Sequence, residues 1–78
     1  MIESATAIEG RGLFSIDGNR VRELRQGKGL TQLELSLRSD LMQSAISRLE
    51  SGLTRRVQWA TLERLAKALG EPVEELRG

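Results

Sequence analysis

The sequence predicts an all-α fold, a compact bundle of five short helices, and three observations lead there. Apolar residues recur at helical spacing in a series of short segments. Glycines and a single proline stand between those segments. Alternation of the strand type does not persist over four or more residues after position 17. At 78 residues, one domain is expected, and a chain this short buries only about 60% of its unfolded surface.

Residues 1–15 are small, polar and glycine-containing, without a helical period, and are expected to form a flexible N-terminal arm. Within them Ile8-Glu9-Gly10-Arg11 spells a protease recognition site of the kind left by cloning. Leu13, Phe14 and Ile16 suit a short extended piece that packs on the domain, which is expected to occupy residues 16–78. Asp17 is an expected N-cap for a first helix carrying Val21 and Leu24 on one face, with Gly27 and Gly29 as its stop. Thr31 with Glu34 three residues later is a capping-box pattern, opening a second helix that runs to about Ser39. Its inward residues include Leu35, with the small Ser36 where another helix crosses. Ser39-Asp40-Leu41 is a break, and Asp tolerates a left-handed turn. A third helix from about Gln43 to Glu50 turns Ile46 and Leu49 inward and Gln43, Ser44, Ser47 and Arg48 outward, and Gly52 ends it. Leu53–Val57 form a basic loop. A fourth helix from about Gln58 to Leu69 carries Leu62, Leu65, Ala66 and Leu69 at helical spacing, with Gly70 as C-cap. Pro72 opens a short fifth helix, where its missing N–H costs nothing, with Val73 and Leu76 as apolar contacts.

Composition removes several functions. The chain has no Cys and no His, so disulfides, Cys or His metal sites and Cys or His nucleophiles are excluded. No cluster of carboxylates suggests a catalytic cleft, and no cofactor or metal is expected. No apolar run reaches the length of a membrane span, and the first residues lack the pattern of a signal peptide, which fits a cytoplasmic protein. Net charge is only +1, but it is unevenly distributed. Residues 18–56 hold eight basic and four acidic residues, while the segments on either side are net negative. A positive middle segment suits a DNA-facing surface.

Two short helices separated by about three residues, with a small residue at the crossing, make a helix-turn-helix of Thr31–Glu50. Together with VRELRQGKGLTQ, SAISRLESG and TLERLAKALG, this stretch resembles the Cro/repressor-type (XRE-like) helix-turn-helix family over roughly residues 16–76. The family includes phage repressors, restriction-modification controllers and many antitoxins. The resemblance implies a lambda-repressor-like DNA-binding fold that reads double-stranded DNA through the major groove. It implies that Gln43, Ser44 and Arg48 contact bases, that Gln32 clamps a phosphate at the start of the second helix, and that Thr54, Arg55 and Arg56 touch the DNA backbone. Thr31 and Ser47 supply further hydroxyls for backbone contacts. It implies that Arg25 and Glu50 form a buried ion pair tying the first helix to the third. Asp40 stands where the family has Gly, Met42 where it has a Ser or Thr cap, and Ser39 where an apolar residue is common.

The expected function is that of a transcriptional regulator binding an inverted-repeat operator as a homodimer. Alternatives are an antitoxin or a restriction-modification controller of the same family, with a toxin or other protein partner, or a protein-interaction module that keeps the fold without binding DNA. Trp59 and Val57 are candidates for a dimer interface, because Trp is enriched at interface hot spots. Trp59 is equally suited to filling the core. Leu33 and Leu37, four apart on the second helix, suit either an exposed patch for a partner or packing on the arm, and the arm or a self-contact is the expectation.

Overall fold

The structure, a computed structural model, describes residues 12–78. The tetrapeptide at 8–11 lies outside the described residues. In chain order the elements are a strand β1 (Leu13–Ser15), helices α1 (Gly18–Gly27), α2 (Gln32–Ser39) and α3 (Gln43–Ser51), a strand β2 (Arg56–Gln58), helix α4 (Trp59–Leu69) and a 3₁₀ turn (Val73–Leu76).

The caps fall where the residue types place them. The Asp17 carboxylate accepts a hydrogen bond from the Arg20 N–H at 3.1 Å and opens α1. Thr31 and Glu34 close a full capping box: the Glu34 N–H donates to Thr31 Oγ1 at 3.0 Å, and the Thr31 N–H donates to Glu34 Oε1 at 2.8 Å. The bond from the Thr31 N–H, with the Thr31 hydroxyl beside it, holds the Glu34 carboxyl below its usual pKa. Asp40 ends α2 in the left-handed region at φ 59°, the one positive-φ residue other than glycine among the described residues. Gly52 ends α3 at φ 86°, a conformation that disfavours any side chain.

Val21, Leu35, Ile46, Leu49, Leu62, Leu65, Leu69 and Leu76 fill the core. Helix α3 packs on α1 and α2, and α2 packs on α4. Ser36 and Ser39 are buried on α2, and Ser39 Oγ donates to the Leu35 carbonyl oxygen at 2.7 Å, so the hydroxyl is satisfied where the resembled family commonly has an apolar side chain. Gly18 starts α1 against the end of α3. A Cβ there would come to 1.8 Å of the Leu49 carbonyl oxygen, so only glycine permits this approach.

Two expectations change. The described residues hold four α-helices rather than five: after Pro72 the chain makes a 3₁₀ turn, closed by the Glu75 N–H on the Pro72 carbonyl oxygen at 3.0 Å. Four residues cannot complete the longer i→i−4 ladder of an α-helix. The fold also contains a two-stranded antiparallel sheet, with Leu13 opposite Gln58, Phe14 opposite Val57 and Ser15 opposite Arg56. Phe14 and Val57 turn toward the core, while Arg56 and Gln58 are exposed. The end of the basic loop is therefore a strand, and α4 starts one residue later than expected, with Gln58 as its N-cap.

Candidate nucleic-acid interface

Helix α3 presents two faces. Ile46, Leu49 and Glu50 are buried, while Gln43, Ser44, Ser47 and Arg48 are exposed, as a helix turning 100° per residue requires. Met42, the N-cap, gives no side-chain hydrogen bond to the first turn. That leaves the first N–H groups of α3 without a side-chain acceptor at the end where Gln43 and Ser44 stand.

Behind this face lies a buried polar network. Arg25 Nε donates to Glu50 Oε2 at 2.7 Å and Nη2 donates to Glu50 Oε1 at 2.8 Å, a two-point pair. Arg25 Nη1 also donates to the Leu30 carbonyl oxygen at 2.8 Å. The hydrogen bonds to Glu50 raise the Arg25 pKa, with burial opposing them. The pair thus ties the first helix to the third and also fixes the loop ahead of α2.

Gln32 joins this network, which the sequence did not reveal. Its Nε2 donates to Glu50 Oε1 at 3.1 Å, and the side chain is half-buried. The amide is therefore held in one orientation at the start of α2. Thr31 is exposed beside it, with its hydroxyl oxygen already accepting from Glu34.

The loop after α3 completes the surface. The Leu53 and Thr54 N–H groups donate to the Arg48 carbonyl oxygen at 2.9 and 3.1 Å, folding the loop back on the helix end. Thr54 is half-buried, and Arg55 and Arg56 are exposed. Arg55 Nε donates to the Gly52 carbonyl oxygen at 3.3 Å.

The two candidate interface residues separate. Val57 is 8% exposed and belongs to the core, because its strand position turns it inward opposite Phe14, so it offers a partner little area. Trp59 is 37% exposed and meets the Phe14 ring edge-on at 5.1 Å between centroids. The Arg77 guanidinium lies over both rings, at 5.5 and 5.7 Å. The sequence gives no local signal for this cluster, since its members are far apart in the chain. Leu33 and Leu37 stay exposed, at 52% and 73%, because they lie on the side of α2 away from Leu35 and Ser39.

Comparison with known proteins places this geometry. The helix-turn-helix family HTH_3 matches residues 21–76. The chain belongs to that helix-turn-helix family. Among solved structures, members similar to this chain are regulators rather than enzymes. The restriction-modification controller protein C.AhdI from Aeromonas hydrophila is 38% identical, with 74% of this chain and 86% of that one covered and a TM-score of 0.70. SinR, a master regulator for biofilm formation seen in complex with DNA, is 26% identical, with 73% and 90% covered and a TM-score of 0.71. The clp gene regulator ClgR from C. glutamicum is 33% identical, with 74% of each chain covered and a TM-score of 0.67. A comparison with curated protein sequences yields no match. No described helix is long and apolar enough to cross a membrane.

Proposed function

We propose that this helix-turn-helix chain is a sequence-specific transcriptional regulator that binds an inverted-repeat operator as a homodimer. The observation that carries the reading is the exposed row of Gln43, Ser44, Ser47 and Arg48 on α3, flanked by a basic loop. An α-helix fits the major groove of B-DNA. There Gln pairs with adenine and Arg with guanine through two hydrogen bonds each. In this reading Gln43, Ser44 and Arg48 contact base edges. Thr31, Gln32, Ser47, Thr54, Arg55 and Arg56 hold the DNA backbone, and Arg25 with Glu50 holds the scaffold. The protein acts in the cytoplasm, at DNA.

The likeness to C.AhdI, a restriction-modification controller, favours one narrower reading: control of a restriction-modification system. A protein partner such as a toxin is the other narrower role. Both leave the DNA-reading surface unchanged.

Reading and holding can be separated by mutation. Binding is measured on the preferred duplex, taken from a random pool, and on its single-base variants at several salt concentrations. Gln43→Ala is expected to cost about 1–3 kcal/mol on the preferred duplex and to relax preference at one base position. Arg55→Ala is expected to weaken all duplexes alike and to reduce the salt slope by about 1. If Gln43→Ala weakens every variant equally, α3 does not read bases. If Arg55→Ala changes the preferred base, the loop enters a groove and the two roles exchange.

A further inference from the structure

We propose that β1 is a clasp that positions the basic loop on DNA, with Phe14 as its positioning residue. The proposal rests on the DNA-binding reading above and adds to it a segment outside the family-matched residues 21–76.

The clasp is built on both sides of β1. On one side, β1 pairs with β2, and the Ile16 N–H donates to the Arg55 carbonyl oxygen at 3.0 Å. On the other, the Gly78 N–H donates to the Ser15 carbonyl oxygen at 3.3 Å, Ile16 bridges to Arg77, and the Asp17 N–H donates to the Leu76 carbonyl oxygen at 2.8 Å. The segment between the end of α3 and the start of α4 is thus bonded through β1 to the last turn of the domain. Phe14 secures the clasp: it lies against the core opposite Val57, meets Trp59 edge-on and carries the Arg77 guanidinium over its face.

Register is what the clasp supplies. Successive strand residues point to opposite faces, so Phe14 opposite Val57 leaves Arg56 opposite Ser15 on the exposed face. A slip of one residue would turn Arg56 toward the core and Val57 toward solvent. Three residues of β2 are too few to hold a register alone, whereas the aromatic cluster around Phe14 fixes it. Arg55 and Arg56 are then presented in one geometry before DNA arrives, and less ordering is needed on binding.

The test uses the full chain with Phe14→Ala, Phe14→Leu and Ile16→Pro. Folding is followed by far-ultraviolet dichroism at the assay temperature, and binding is measured on the preferred duplex and its single-base variants at several salt concentrations. Phe14→Ala is expected to weaken binding to every duplex by roughly tenfold and to lower the salt slope by about 1, with base preference unchanged. Phe14→Leu, which keeps apolar volume, is expected to restore most of the affinity. Ile16→Pro removes the N–H that donates to the Arg55 carbonyl oxygen while keeping an apolar side chain, and decides the matter if Phe14→Ala does not fold. A folded variant that binds with the parent's affinity and slope overturns the clasp, as does one that changes the preferred base. If the parent itself binds duplex DNA without salt dependence, the DNA-binding reading fails first and the clasp falls with it.

Discussion

Glu50 is buried in the last turn of the third helix, which is tolerable only because three hydrogen bonds reach its carboxylate. Two bonds come from Arg25 and one from Gln32. Removing the carboxylate would leave the guanidinium of Arg25 buried with only the Leu30 carbonyl oxygen. Breaking a buried pair from one side costs about 3–5 kcal/mol, because the remaining charge keeps its desolvation cost and loses its compensation. Small domains have only about 5–15 kcal/mol of stability in total. Glu50→Ala is therefore expected to lower stability by about 3 kcal/mol or more in denaturant unfolding. A variant that unfolds at the parent's midpoint would show that the pair contributes little. The same carboxylate orients Gln32, so a residue of pure scaffold also sets the angle of an expected phosphate contact.

At the scale of the element, α2 and α3 differ in how they begin. Helix α2 has a complete capping box, whereas α3 starts at Met42 with no side-chain cap and 74% of that residue exposed. Met42→Ser places a hydroxyl where the first-turn N–H groups lack an acceptor, with little apolar burial lost. An N-cap of this type is worth about 1 kcal/mol, so the variant is expected to unfold later in denaturant by about that amount. No gain would mean that the first turn is already satisfied by another group. The contrast also shows what the sequence could display. The capping box, the three helices around the turn and the inward residues Leu35, Ile46 and Leu49 depend on spacings of one to four residues, which a single chain exhibits directly. The outward row on α3 follows from the same periodicity. The Arg25–Glu50 pair came from the family resemblance, and its bond to Gln32 from neither. The extended piece around Leu13–Ile16 was legible, but β2 and the pairing were not, because three residues are too few to establish alternation and the pairing spans more than forty positions. Val57 was misplaced for that reason: its side chain turns inward only because Phe14 lies opposite. The fifth helix was read from Pro72, Val73 and Leu76, a pattern that a 3₁₀ turn satisfies as well.

At the scale of the whole molecule, one copy offers a single short reading helix to DNA. Specific protein–DNA interfaces bury about 1,000–2,500 Å² of protein surface, and single modules reach only the low end or below. In the proposed function a second copy supplies the missing area, and an inverted repeat lets two identical surfaces engage at once. Half-sites then stand about 34 Å apart, one helical turn, so both present the same side of the duplex. Trp59, partly exposed on the edge of its aromatic cluster, remains the candidate contact between copies, whereas Val57 is committed to the core. The expectation is that sedimentation with operator DNA gives two chains per duplex. Inserting about half a turn of DNA between the half-sites, roughly 5 base pairs, puts them on opposite sides and should abolish joint binding, while a full-turn insertion restores the facing. Trp59→Ala should reduce joint binding without changing the preferred base. A chain that occupies one half-site with full affinity, whatever the spacing, would act as a monomer, and the inverted-repeat reading would be wrong.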